Sequence, residues 1–145
     1  MTVAAILAHK GRDVFTANPG ITVSEAIAIL AEHRVGALVV VNADQQILGI
    51  LSERDVVKGI ARHGASVLER EVQAIMTREV ITCVEDDTIS EVMEQMTHGR
   101  FRHVPVTVDG RLAGIISIGD VVKRRIGAVE HEAEEMRAYI ATAAP

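Results

Sequence analysis

The chain contains the same segment twice, and this internal repeat constrains its fold more than any other feature. TVSEAIAILAEHRVGALVVV, which starts at Thr22, aligns with TISEVMEQMTHGRFRHVPVT, which starts at Thr88. ILGILSERDVVK from Ile47 aligns with LAGIISIGDVVK from Leu112, and seven of these twelve positions are identical. A repeat of this kind indicates a supersecondary unit that buries its apolar face against its own copy. The sequence therefore predicts two related units that share a core.

Each copy predicts the same order of elements, β-α-β-β-α. The first helix begins at Thr22 or Thr88, where a Thr-x-x-Glu pattern is typical of a capping box. Another helix begins at Ser52 or Ser117 and closes the unit. The predicted strands are short and apolar, and they cover residues 14–17, 37–41 and 47–51 of the first copy and 80–84, 103–108 and 112–117 of the second. We expect an α+β fold made of two units related by a pseudo-twofold axis.

The repeat also divides the chain. We expect the first copy in residues 1–66, the second in residues 67–127, and a C-terminal helix and tail in residues 128–145. The link at 64–76 is expected to be partly helical. Residues 130–143 resemble a polar terminal helix that self-association would use.

Composition excludes several classes of function. The 145 residues carry a net charge of −5 and only two Phe and one Tyr, which argues against a broad nucleic-acid surface. No apolar run approaches the roughly 18–20 residues that span a bilayer, and residues 1–13 are expected to form a short helix rather than a secretory signal. A single cysteine, Cys83, suits a reducing compartment. We expect a cytoplasmic protein with no nucleic-acid or membrane partner.

The strongest shared motif is Gly-Ile-x-Ser-x-x-Asp, at residues 49–55 and again at 114–120. One interpretation is structural, because Ser-x-x-Asp after a strand is a helix capping box. The other is functional, because a helix N-terminus presents free amides and a positive dipole end to a phosphate. An aspartate in that first turn would accept hydrogen bonds from ribose hydroxyls. The spacing alone leaves both interpretations open.

The order of these motifs resembles a tandem pair of CBS (cystathionine-β-synthase) domains, often called a Bateman module. The resemblance covers roughly residues 3–127, and AIMTREVITC at residues 74–83 is similar to the usual lead-in of a second copy. It implies a regulatory module, not an enzyme, whose clefts between the copies bind adenine nucleotides. We favour AMP, with NAD(H) or ATP as alternatives. Stand-alone pairs of this kind usually dimerise, so we expect a homodimer that signals to an unknown protein target.

The resemblance also assigns roles to residues. It implies that Asp55 with Ser52, and Asp120 with Ser117, hold the ribose and approach the phosphate. A basic pair in front of the Pro-containing strand contacts phosphate in the family, and here that pair is Arg102-His103.

The two clefts are expected to differ, because the first copy has Gly36-Ala37 in place of the basic pair. Arg54 is a further phosphate candidate. The adenine is expected near Phe15, Ile81 and Ala37, although Phe15 and Ile81 fit core packing equally well.

Other chemistry finds little support. His98 with His103, and His131 with Glu135, lack a third ligand, so we expect no metal. Cys83 has no base beside it and is expected to be a buried thiol. The alternative to nucleotide binding is an interaction dimer in which both Ser-x-x-Asp pairs act only as helix caps.

Overall fold

The computed structural model describes residues 1–143. Helices and strands alternate along the chain in the order α1 (Val3–Lys10), β1 (Thr16–Ala17), α2 (Val23–His33), β2 (Ala37–Val41), β3 (Ile47–Ser52), α3 (Glu53–His63), α4 (Ile89–Gly99), β4 (His103–Val108), β5 (Arg111–Ser117) and α5 (Ile118–Ala143). Between α3 and α4 the chain forms two 3₁₀ turns, Gly64–Glu69 and Val72–Ala74. The α+β class and the two related units predicted from the repeat are confirmed.

The two sheets use the same antiparallel hairpin. In the first copy β1 lies parallel to β2, and β2 lies antiparallel to β3 with Ala37 opposite Ser52. In the second copy β4 and β5 are antiparallel with His103 opposite Ser117. This shared register places the serine of each Ser-x-x-Asp motif beside the first residue of the neighbouring strand.

Three details differ from the sequence prediction. The prediction of a strand at 80–84 is wrong, because only Cys83 of this segment pairs, in an isolated parallel bridge with Val106. The first strand is shorter than predicted and contains only Thr16 and Ala17. The polar helix expected at 130–143 is not a separate element, because α5 runs without a break from Ile118. Nothing in this helix, such as a proline, would interrupt it.

The lead-in segment of each copy, which lies ahead of the aligned repeat that starts at Thr22 or Thr88, packs into the core of the other copy. Val3, Ile6 and Leu7 of α1 are buried among the apolar side chains of the second copy. Val72 and Met76, which precede the second copy, are buried among those of the first. The two lead-in segments are therefore exchanged, and each core depends on both ends of the repeat.

Backbone hydrogen bonds hold the exchanged segments at the N-termini of α2 and α4. The Val23 amide donates to the Arg70 carbonyl at 2.8 Å, and the Ile89 amide donates to the Met1 carbonyl at 3.0 Å. The first amides of a helix have no partner within the helix. The lead-in of one copy therefore supplies carbonyl acceptors for amides in the first helical turn of the other copy.

The motif glycines make room for the same exchange. A Cβ on Gly49 would lie 2.8 Å from the Thr77 carbonyl oxygen, and a Cβ on Gly114 would lie 2.9 Å from Leu7 Cδ2. Real Cβ atoms do not approach other atoms so closely. Gly49 is therefore required where the Thr77 backbone crosses β3, whereas the neighbour of Gly114 is the end of a side chain that could shift.

Candidate functional site

The first Ser-x-x-Asp pair is a complete capping box at the start of α3. The Asp55 amide donates to Ser52 Oγ at 3.2 Å, and the Ser52 amide donates to Asp55 Oδ2 at 2.9 Å. The hydroxyl of Thr77 donates to the other carboxylate oxygen, Oδ1, at 3.1 Å. The capping interpretation is confirmed, and Asp55 remains partly exposed at the helix N-terminus.

The second pair has the same cap and a different neighbour. The Ser117 amide donates to Asp120 Oδ2 at 2.9 Å, and the Asp120 amide donates to Ser117 Oγ at 3.2 Å. Lys10, the last residue of α1, forms an ion pair with Asp120 Oδ2 at 2.7 Å and also donates to the Ile115 carbonyl at 2.9 Å.

The ammonium of Lys10 changes the charge at Asp120. Burial by itself raises the pKa of the Asp120 carboxyl, but hydrogen bonds from Lys10 and Ser117 and the positive charge of Lys10 hold that pKa below its usual range. The side chains of Lys10 and Asp120 are 29% and 23% exposed. Asp120 is therefore ionised and already paired with a cation, whereas the partner of Asp55 is a neutral hydroxyl.

A cavity of about 500 Å³ lies at the N-terminus of α3, between the two copies. Its volume is within the range of small-molecule sites. The polar and charged side chains around it come from both copies, and they are Ser52, Glu53, Arg54, Asp55, Lys58, Thr77, Glu79, Arg100, Arg102 and His103. Ile50, Val80, Ile81 and Phe101 supply apolar surface. The arrangement offers cations, three carboxylates and an apolar wall within one concave surface.

The cavity decides which aspartate Arg102 accompanies, a point the sequence left open. Arg102 and His103 belong to the second copy, yet they line the cavity of Asp55 in the first. Arg54 also joins the copies, because its Nη1 donates to the Arg100 carbonyl at 3.0 Å. The basic groups predicted to contact phosphate are thus gathered beside Asp55.

His103 lies against Gly36, the residue of the first copy that corresponds to Arg102 of the second. A Cβ on Gly36 would lie 3.2 Å from His103 Cε1 and 3.3 Å from His103 Nε2. Burial lowers the pKa of the His103 imidazole, and it outweighs the opposing effects of the carboxylates of Glu53 and Asp120. The small residue in one copy accommodates the neutral ring of the other.

Six of the ten candidate residues meet at this cavity: Ser52, Arg54, Asp55, Ile81, Arg102 and His103. Ser117 and Asp120 lie apart, beside Lys10. Ala37 is buried, with 6% of its surface exposed. Phe15 packs against that core, and its ring stacks on His33 with centroids 3.9 Å apart. Neither Phe15 nor Ala37 lines the cavity.

Sequence reasoning missed Lys10, Thr77 and Lys58. Thr77 lies in the lead-in segment whose resemblance was recognised, so its position could have been used. Lys58 is one turn beyond Asp55, which places it on the same side of α3. Nothing local in the sequence connects Lys10 with Asp120, because 110 positions separate them.

Other reactive groups lie outside the cavity. Burial, with a smaller effect of Asp87, raises the pKa of the Cys83 thiol to about 12, so the thiol is protonated at neutral pH. Within residues 1–143, no group of three His, Cys, Asp or Glu side chains is arranged to hold a metal ion. No helix in that range has the length and apolar character needed to cross a membrane.

Comparison with known proteins now identifies the family. The model of the CBS domain matches residues 6–62 and again residues 72–127. The chain belongs to the CBS domain family. The two matches coincide with the two copies of the repeat, so the chain is a tandem CBS pair.

Relatives of this CBS pair include proteins with longer chains. This chain is 38% identical over 123 residues to the mitochondrial CBS domain-containing protein CBSX3 of Arabidopsis thaliana. The match covers 82% of this chain. The chain spans 60% of that relative's length and 66% of two further curated relatives.

Two solved structures share the fold over most of their length. A CBS-domain containing protein from Agrobacterium tumefaciens is 51% identical, with a TM-score of 0.84, covering 86% of this chain and 99% of that one. The CBS domain pair of protein MJ0100, solved in complex with 5′-methylthioadenosine and S-adenosyl-L-methionine, is 30% identical with a TM-score of 0.77. That match covers 88% of this chain and 97% of the other.

Proposed function

We propose that this CBS pair is a non-catalytic regulatory module that binds an adenine nucleotide, AMP in the first place, in the cavity beside Asp55. One observation carries the proposal: a capped aspartate, a helix N-terminus and the basic groups Arg54 and Arg102 line the same cavity. The solved complex of the MJ0100 pair with adenosine-containing ligands supports the same ligand class. NAD(H) and ATP remain the alternatives to AMP.

Each part of an adenine nucleotide finds a matching group. In the proposed pose Asp55 accepts hydrogen bonds from the ribose hydroxyls. The phosphate lies near the α3 N-terminus, where the positive end of the helix dipole, Ser52 and Arg102 favour an anion. The adenine packs on the apolar side of the cavity, against Ile81.

The cleft at Asp120 is proposed to bind nucleotide more weakly. The ammonium of Lys10 lies 2.7 Å from Asp120 Oδ2, so a ribose at this position would have to displace it. The basic residues Arg54 and Arg102 lie at the other cleft. One nucleotide per chain is therefore expected at moderate concentration.

A homodimer that passes the bound state to a protein target is part of the proposal, as is a cytoplasmic location. Binding shifts the populations of states only where their affinities for the nucleotide differ. Measuring the dissociation constant of the dimer with and without AMP tests whether nucleotide binding and dimer formation are coupled.

Calorimetry on the full chain tests the site. AMP is expected to bind at one site per chain, and Asp55→Asn, which can still accept the capping hydrogen bond, is expected to weaken binding by about tenfold or more because charged acceptors form the stronger hydrogen bonds. Asp120→Asn is the matched control and should change the affinity by less than about twofold. Absence of binding by AMP, ATP and NADH at millimolar concentration, or loss of binding in the control alone, would contradict the proposal.

A comparison of AMP with adenosine, which lacks the phosphate, tests which residue contacts the phosphate. Arg102→Ala is expected to weaken AMP binding while leaving adenosine binding unchanged, because only AMP carries the anion that the guanidinium contacts. Equal loss for both ligands would place Arg102 away from the phosphate.

The interaction dimer remains the second candidate, because both Ser-x-x-Asp pairs form complete helix caps without any ligand. In that case Asp55→Asn lowers thermal stability slightly and no nucleotide restores it.

A further inference from the structure

The helix α5 carries an apolar stripe along the part of its surface that faces away from the domain. The stripe consists of Val122, Ile126, Val129, Ala133, Met136 and Ile140, which follow one another at steps of four, three, four, three and four residues. Its five larger side chains are between 45% exposed, at Val122, and 61% exposed, at Ile140, and the small Ala133 is half-buried. Side chains of this kind are seldom left in water along five turns of a helix.

The stripe is distinct from the face of α5 that packs on the second copy. Val121 is fully buried in the core and marks that face. Successive residues of an α-helix are rotated by about 100°, so Val122 and the residues in line with it point to the side. The core therefore does not account for the stripe.

The spacing is that of a coiled-coil seam. Alternating steps of three and four residues give an average period of about 3.5, which keeps the apolar side chains facing one partner helix. In heptad notation Ile126, Ala133 and Ile140 occupy the a positions, and Val122, Val129 and Met136 occupy the d positions. A seam with this period is matched by another helix with the same period.

The charges beside the seam indicate which helix that is. Arg125 and Glu132 occupy g positions, Glu130 and Arg137 occupy e positions, and all four side chains are exposed. In a parallel, in-register pair, each g residue faces the e residue of the partner's next heptad. Arg125 then meets the partner's Glu130, and Glu132 meets the partner's Arg137.

The antiparallel arrangement has the opposite electrostatics. With the two seams fully overlapped end to end, Glu132 meets the partner's Glu132 and Glu130 meets the partner's Glu130. Like charges at these positions oppose association. When the two seams overlap over their whole length, the pattern of these four charges is thus self-complementary in the parallel orientation only.

We propose that α5 forms a parallel, in-register, two-stranded coiled coil with α5 of a second copy of this chain. The inference rests on the homodimer that forms part of the proposed function, and it does not depend on nucleotide binding. It assigns the dimer contact to a defined seam and fixes its orientation.

Disulfide trapping tests orientation and register on the full chain. Val129→Cys and Met136→Cys place a thiol at two d positions, where a parallel in-register seam brings identical residues together. Ala138→Cys, at an f position on the outer side of the helix, is the matched control. Cys83 stays in place because its buried thiol is protonated at neutral pH, and the parent chain measures its background.

Both d-position variants are expected to form at least about five times more covalent dimer than the Ala138→Cys control under mild oxidation. In the fully overlapped antiparallel arrangement a positions face d positions, so neither Val129 nor Met136 lies opposite itself. Trapping at one position only, or at neither, overturns the proposal.

Charge reversal tests the identity of the partner. Glu132→Lys and Arg137→Glu each replace two attractive contacts of the dimer by repulsive ones, and each is expected to weaken self-association by roughly fivefold in sedimentation equilibrium. The double variant restores opposite charges and should recover the parent dissociation constant.

A double variant as weak as the single variants overturns the proposal, and so does an assembly of another size. The affinity for AMP, measured on the same variants, shows separately whether the nucleotide site is intact. Failure of the seam is thereby distinguished from failure of nucleotide binding.

Discussion

Two aspartates at repeated positions differ because the residues that approach them come from elsewhere in the chain. Asp55 is contacted by the hydroxyl of Thr77 at 3.1 Å, and Asp120 by the ammonium of Lys10 at 2.7 Å. A hydroxyl donates one hydrogen bond and leaves the carboxylate charge uncompensated, whereas an ammonium neutralises that charge. A single side chain therefore separates an available aspartate from one that is already paired.

Removing the ammonium is expected to make the two clefts more alike. Lys10→Met keeps most of the apolar stem and frees the carboxylate of Asp120. Calorimetry should then detect a second, weaker AMP site per chain, with the affinity of the first site changed by less than about twofold. The cost in folding free energy should be no more than about 1 kcal/mol, because the ion pair is partly exposed. One site per chain in both proteins would show that Lys10 does not close the second cleft.

His103 is expected to make stability depend on pH. Burial lowers the pKa of its imidazole below 6.5, so the folded state favours the neutral ring. Its contribution to stability is complete above the unfolded pKa of about 6.5 and is lost as the pH falls below that value towards the folded pKa.

The measurement compares urea unfolding at pH 7.5 and pH 5.5 for the parent chain and His103→Gln. The variant should lose less unfolding free energy between these pH values, because the five other histidines are common to both proteins. An equal loss of unfolding free energy in the two proteins would show that His103 does not cause the pH dependence.

At the scale of elements, the motif glycine connects the lead-in segment to the site. Gly49 lies on β3, and the Thr77 backbone crosses it so closely that no Cβ fits between them. The Ile50 and Thr77 backbones exchange two hydrogen bonds of 2.9 Å. Thr77 is thereby held where its hydroxyl reaches Asp55.

Gly49→Ala and Gly127→Ala are expected to have effects of opposite sign. Alanine at 49 would lie 2.8 Å from the Thr77 carbonyl oxygen and should cost about 1–3 kcal/mol of unfolding free energy through overpacking. Alanine at 127, inside α5 with nothing within 4 Å of its Cβ, should add up to about 1 kcal/mol through helix propensity. Urea unfolding of both variants measures the difference. Stabilisation by Gly49→Ala would contradict the proposed close approach.

At the scale of the whole molecule, the exchanged lead-ins make the two copies one folding unit. The α1 helix precedes the first copy, but its buried face completes the core of the second. The segment that contains Val72 and Met76 completes the core of the first. Separating the copies between residues 63 and 72 would leave each core without part of its apolar contacts.

Leu7→Ala tests this dependence. Leu7 is 1% exposed and is buried in the second core, so its truncation should cost about 2–5 kcal/mol. Unfolding should remain a single transition, because loss of one core exposes the lead-in of the other. Val84→Ala, at a position that is 47% exposed, is the control and should change stability by less than about 1 kcal/mol. Two separate transitions would show that the copies fold independently.

The sequence determined the repeat, the order of helices and strands, and the positions of both Ser-x-x-Asp caps. These features depend on local spacing: the Thr22 and Thr88 capping boxes form as their residue types predict, and the hairpins keep the same register in both copies. The strand expected at 80–84 is reduced to an isolated bridge, because Cys83 is the residue of this segment that pairs with β4.

Only the tertiary structure decided which residues meet. It placed Arg102 of the second copy beside Asp55 of the first, and Lys10 beside Asp120, 110 positions away along the chain. It also placed Phe15 against the first core and Ala37 in a buried position, away from the cavity that Ile81 lines. Contacts over such separations depend on how the copies pack, and a one-dimensional pattern carries no information about that packing. The difference between the surroundings of Asp55 and Asp120, expected from the basic pair alone, therefore arises from the exchanged lead-in segments as well as from the basic residues.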